Sequence, residues 1–161
     1  MIVIVMGVVG AGKTTVGRML AAQLKWEFAD ADDFHPASNV EKIRNGIPLT
    51  DADREPWLDS LHRAIVEWIA IGKNVILACS ALKSSYRSKL KVSQEVRFVY
   101  LKGSASLIAE RLRTRHGHFA GKSILASQLA DLEEPDDAVI VDISPEPQRI
   151  VEEIRKALGL E

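Results

Sequence analysis

Nine residues near the start of the chain bring together the groups that hold a polyphosphate: Gly7, Val8, Val9, Gly10, Ala11, Gly12, Lys13, Thr14 and Thr15. The spacing G-x-x-x-x-G-K-T places small residues where successive backbone N–H groups must curl around phosphate oxygens. Lys13 supplies a cation for the β- and γ-phosphates, and Thr14 a hydroxyl ligand for Mg²⁺. An apolar run, Ile2–Met6, precedes the segment, and residues with helical spacing follow it. A helix starting there would direct the positive end of its dipole at the same anion. The pattern specifies a nucleotide held by its phosphates, ATP being the expected one, and leaves its use open.

A second group of reactive residues is Asp30-Ala31-Asp32-Asp33, at the end of another apolar run. In a parallel sheet whose first strand ends in a phosphate loop, neighbouring strands deliver their carboxyl ends to the same crevice. Carboxylates there can hold Mg²⁺ and orient an attacking hydroxyl for phosphoryl transfer. Asp32 is the expected base and Asp30 the expected metal ligand, with Asp33 able to take either role; a solvated acidic turn is the plainer reading. His35 either hydrogen-bonds locally or touches a substrate, and Pro36 is expected in the first turn of the next helix.

The elements that must position these groups follow from hydropathy. Five β-rich runs, residues 2–6, 26–29, 75–79, 96–101 and 138–143, are apolar nearly throughout, as strands covered on both faces are. Between them Val16, Met19, Leu20 and Leu24, then Leu58, Leu61, Ile65 and Ile69, then Ile150, Ile154 and Leu158 form helical stripes. Alternation of this kind predicts right-handed crossovers and a three-layer α/β sandwich. At 161 residues, the chain reads as a single domain, residues 1–161. Two long strand-free stretches suggest a substrate-binding insertion, about residues 33–72, and a lid, about residues 112–128. The net charge of −1 points to neither nucleic acid nor a membrane surface as a partner. With one cysteine, no basic leader and no long apolar run, the chain is expected in the cytoplasm.

Four segments carry a more specific likeness. Asp30-Ala31-Asp32-Asp33-Phe34-His35-Pro36, the stretch from Gly46 to Leu58, Cys79-Ser80-Ala81-Leu82-Lys83-Ser84-Ser85-Tyr86-Arg87, and Arg115-His116-Gly117-His118-Phe119 resemble consecutive signatures of the gluconokinase family. The resemblance implies transfer of phosphate from ATP to the 6-hydroxyl of D-gluconate, giving 6-phospho-D-gluconate and ADP. It implies a fold similar to shikimate and nucleoside-monophosphate kinases, with a five-stranded parallel sheet in the order 2-3-1-4-5, and a homodimer. Two departures stand out: Ala31 replaces the usual glycine, and the stretch between Leu132 and the last strand is shorter than usual.

A gluconate site needs a guanidinium fork for the carboxylate and neutral groups for the hydroxyls. Arg54 is the first candidate, with Pro56 expected at a helix start beside it; pairing with Asp51 or Asp53 on the surface is the alternative. Ser80, Lys83, Tyr86 and Arg87 are further candidates. Lys83 and Arg87, four apart, would share one face of a helix directed either at the crevice or at solvent. Arg111 and Arg115, again four apart, lead into the glycine-flanked segment. Related folds suggest that Arg111 and Pro145 cover the adenine, while Arg115 meets the γ-phosphate as an arginine finger; two solvated helix charges are the alternative. His118 and Gln128 are expected to reach substrate hydroxyls. Cys79 reads as a small buried residue. Trp57 and Trp68, eleven apart on one helix, are expected to share a face in the core or at a dimer interface. Two other functions also accommodate the phosphate loop: a kinase for another small anionic hydroxy compound, and a nucleotide-binding switch module.

Overall fold

A computed structural model describes residues 1–116 and 122–161, with the side chains of 115, 116, 122 and 123 excepted. Five strands form one parallel sheet: β1 (Ile2–Met6), β2 (Glu27–Asp30), β3 (Val75–Ala78), β4 (Val96–Lys102) and β5 (Val139–Asp142), in the order β2-β3-β1-β4-β5. β1 lies at the centre, with Ile2 paired to Val75 of β3 and to Val96 of β4. Every β1 side chain is buried, and the strand's alternation divides them between two cores. Val3 and Val5 meet the layer built on α1 (Lys13–Leu24) and α7 (Pro147–Leu158). Ile2, Ile4 and Met6 meet α3 (Asp51–Ala70) and α4 (Ser84–Leu90). A strand apolar on both faces and the helical stripes thus account for the three layers together.

Three helices complete the described elements: α2 (Ala37–Arg44), α5 (Ala105–His116) and α6 (Lys122–Asp131). Strand β2 starts one residue later than expected, at Glu27, because the Trp26 amide bonds back to the Ala21 carbonyl at the end of α1, 2.9 Å away. The expected insertion is helical: a 3₁₀ turn over Ala31–Phe34, then α2 and α3. Pro36 is the N-cap of α2 and not a residue of its first turn. Pro56 does not start a helix either. Helix α3 begins at Asp51 behind a capping box in which Thr50 and Asp53 satisfy each other's amides, so Pro56 falls in its second turn. Nor do the two tryptophans form an exposed face: Trp57 is buried, and Trp68 is half-buried edge-on against Phe34.

The topology turns at β1. Chain neighbours on its two sides leave in opposite directions, so the carboxyl ends of β1 and β3 open a crevice. The phosphate loop follows β1, Asp30 ends β2, and Cys79 and Ser80 follow β3. Among the described residues, no helix is long and apolar enough to cross a membrane.

Candidate active site

The loop after β1 gains its shape from glycine. Gly10 and Gly12 adopt φ of +84° and +98°, where a side chain is strained, and a Cβ on Gly10 would lie 2.7 Å from Leu112 Cγ. Gly12 caps α1 and offers no side chain to its first-turn amides, which leaves those donors directed at the loop. Lys13 folds back and donates to the Val8 carbonyl at 3.0 Å. Burial pushes its pKa down, against the opposing pull of Asp32 and Asp30.

Asp30 caps the following 3₁₀ turn by accepting from the Asp32 amide at 3.0 Å, and its other oxygen lies 3.5 Å from Thr14 Oγ1. Asp32 faces the crevice mouth, yet the walls around it and the neighbouring Asp30 carboxylate raise its pKa. Such a carboxyl is a better proton acceptor than an ordinary aspartate. Ala31 is buried between these acids, in a backbone conformation that alanine adopts freely, so it replaces a glycine without strain. Its carbonyl accepts from Trp57 Nε1 at 2.7 Å, which pins α3 to the acidic turn.

Arg54, only 7% exposed, lines the same crevice. Its Nη1 donates to Tyr86 Oη at 2.8 Å and to Asp131 Oδ2 at 3.0 Å. Tyr86 in turn donates to Asp51, which also accepts from Lys83 at 2.9 Å. His35 stacks on the Trp57 indole with ring centroids 4.5 Å apart. Asn39, buried beneath it, donates to the Asp53 carbonyl at 2.7 Å, so the amide nitrogen is the atom facing His35 Nδ1, 3.2 Å away. Nδ1 is therefore the acceptor and Nε2 carries the proton. Burial, with nearby Arg54, lowers the His35 pKa to about 4, so the ring is neutral at physiological pH.

A single cavity of about 240 Å³ is lined by Lys13, Thr14, Asp30 and Asp32 together with His35, Trp57 and Arg54. Ser80 and Gln128 also line it. A second cleft, of about 380 Å³, adjoins the loop through Gly10, Ala11, Gly12 and Thr15, and its far wall is Arg111 and Pro145. Arg111 is held there by donating to the Ile143 carbonyl at 2.6 Å. One opening thus suits the acceptor and the γ-phosphate, the other a nucleoside.

Not every expected residue meets in this crevice. Lys83 and Arg87 share no helical face, because α4 begins at Ser84 and Lys83 is its N-cap. Lys83 pairs with Asp51 at the rim, while Arg87 turns away and donates to the Ala81 and Leu82 carbonyls at 2.8 and 3.1 Å. That clamp braces Ala81, whose φ of +45° is left-handed. Tyr86 reaches the site through Arg54 and does not line the cavity wall. Gln128 Oε1 accepts from the Val9 amide at 2.7 Å, so it engages the phosphate loop. The Arg115 side chain and all of His118 lie outside the described residues. Buried Cys79 has a pKa pushed up to about 12 by burial, which leaves it a neutral thiol. Sequence reasoning missed Asn39, Trp57 as a wall of the site, and Asp131. The first had a signal, standing four residues beyond His35; the last had none.

A phosphate loop at the end of a central parallel strand, carboxylates on the next strand and an arginine facing them define a small-molecule P-loop kinase. A family model described as shikimate kinase matches residues 9–158. Gluconokinase of Gluconobacter oxydans (strain 621H) is 46% identical over 155 residues, covering 94% of this chain and 87% of that protein. A probable gluconokinase of Xenopus tropicalis is 42% identical over 173 residues, covering 96% and 91%. The crystal structure of a gluconokinase from Sinorhizobium meliloti 1021 superposes with a TM-score of 0.87 at 43% identity, covering 98% of this chain and 90% of that one. This chain belongs to the gluconokinase family, within the larger shikimate kinase family, and is a kinase.

Proposed function

We propose that the enzyme transfers the γ-phosphoryl group of ATP to the 6-hydroxyl of D-gluconate, giving 6-phospho-D-gluconate and ADP. The observation that carries this reading is the single cavity that Lys13 and Asp32 line together with the buried Arg54. An acceptor with a hydroxyl at one end and a carboxylate at the other is what such a cavity suits. Arg54 grips the carboxylate, and His35, Ser80 and Gln128 offer neutral partners to the hydroxyls between.

In the transfer, the acceptor oxygen bonds to the γ-phosphorus as the bond to the β–γ bridging oxygen breaks, and ADP departs. Asp32 takes the hydroxyl proton. Lys13 turns from the Val8 carbonyl to the phosphates, and Arg115 meets them from α5. The Thr14 hydroxyl and Asp30 carboxylate, 3.5 Å apart, are hard oxygen donors of the kind Mg²⁺ accepts alongside retained water. When bound with ATP, that ion would neutralise charge on the β- and γ-phosphates.

The enzyme works, on this reading, as one domain in the cytoplasm, and as a homodimer. Sedimentation at micromolar concentration checks it: a species of twice the chain mass is expected, and a monomer alone contradicts it. The activity itself is checked by coupled ADP release over gluconate, shikimate, adenylyl sulfate and glucose. Stimulation by gluconate is expected, and its absence overturns the substrate assignment.

A further inference from the structure

Arg54 carries two guanidinium donors on Nη1, and both are engaged, one by Tyr86 and one by Asp131. Among the described residues, this guanidinium makes no other hydrogen bond. Its Nε–Nη2 edge is therefore the pair of parallel donors left for an incoming carboxylate. A guanidinium held at one corner by two acceptors cannot swing about its last torsion, whereas one held by Tyr86 alone retains that freedom.

Asp131 is the last residue of α6, and its carboxylate is 26% exposed against 8% for the Arg54 side chain. It reaches the arginine from 77 positions further along the chain. Three residues earlier on the same helix, Gln128 holds the Val9 amide of the phosphate loop. The two contacts leave α6 on one face. They differ in target: Asp131 braces the acceptor's arginine, and Gln128 Oε1 the phosphate loop.

We propose that Asp131 is a positioning residue of the acceptor half. By occupying Nη1 together with Tyr86, it fixes the Nε–Nη2 edge of Arg54 as the edge that binds the acceptor's carboxylate. The inference rests on the reading of Arg54 as the carboxylate ligand. Its action is mainly through the hydrogen bond, whose effect on Arg54 is larger than that of the Asp131 charge alone.

Steady-state kinetics of the full chain test this with two variants. Asp131→Ala is expected to raise the gluconate KM about tenfold, with kcat and the ATP KM within about threefold of wild type, since an ordered side chain loses rotational freedom of that magnitude. Asp131→Asn still presents an oxygen to Nη1 and is expected to stay within about threefold of the wild-type gluconate KM. Three outcomes overturn the proposal. One is a gluconate KM unmoved in Asp131→Ala. Another is an ATP KM that rises in step, which is the mark of a loosened α6 releasing Gln128. The third is an Asp131→Asn enzyme that binds gluconate more tightly than wild type or as poorly as Asp131→Ala. If wild-type enzyme turns over without gluconate dependence, the acceptor reading itself fails, and that result is read before any variant is made.

Discussion

The two halves of the crevice are built on opposite principles. The phosphate-holding part proposed for the donor is one contiguous loop of backbone amides, and its shape depends on Gly10 and Gly12 at positive φ. The proposed acceptor half is a set of side chains from distant places: His35 stacked on Trp57, and Arg54 hydrogen-bonded to Tyr86 and Asp131. A backbone cradle recognises any chain of phosphates, because every residue has an N–H. A side-chain network recognises one arrangement of charge and hydroxyls. Substrate identity therefore resides in the half that the sequence motif does not spell out.

The contrast can be broken most severely at the junction of the halves. Asp32→Asn is expected to lower kcat about a thousandfold, as loss of a positioned general base does, while ATP binding measured by calorimetry persists. Retained turnover would move the base role to Asp33. The raised pKa of Asp32 also fixes the sign of a pH effect. The proposed base acts when deprotonated, so activity should fail on acidification at a higher pH than an ordinary aspartate would give. A kcat profile with no acidic limb in that region would contradict it.

Next comes a change that strikes only the cradle. Gly10→Ala forces a Cβ to within 2.7 Å of Leu112 at a φ of +84°, so the loop or the Leu112 side chain must shift. Thermal denaturation should report a loss of about 1–3 kcal/mol, and the ATP KM should rise with the gluconate KM nearly unchanged. An unaltered melting temperature would mean that the loop has room the geometry does not show. The smallest effect belongs to Lys83→Ala. Lys83 pairs with exposed Asp51 at the rim, and such pairs contribute about 0–1 kcal/mol. The gluconate KM should stay within about threefold; a hundredfold rise would bring Lys83 back among the direct ligands.

The same contrast explains what could be read before any coordinates. Strand β1 and the stripes Val16–Leu20, Leu58–Leu61–Ile65 and Ile150–Ile154 were legible because burial on both faces of a parallel sheet leaves a simple apolar signature. The loop was legible because its ligands are adjacent in sequence. Arg54 was legible only through family likeness, and its partners less so. Lys83 and Arg87 looked equivalent at a spacing of four, but the helix starts between them, and backbone carbonyls at the strand end claim Arg87. Asp131 gave no sign at all, since a contact spanning 77 residues depends on how α6 docks and not on local spacing. Pro56 misled because a capping box three residues upstream sets the start of α3 more strongly than proline does.

The central claim is that the crevice holds two separable half-sites, and Arg54→Ala addresses it most directly. Calorimetry on the folded variant, titrated separately with gluconate and with a non-hydrolysable ATP analogue, gives both affinities from one preparation. The account predicts gluconate binding weakened about a hundredfold, as loss of a buried charge-assisted contact requires, with nucleotide affinity within about twofold of wild type. Equal weakening of both ligands, or gluconate bound as tightly as before, would contradict it.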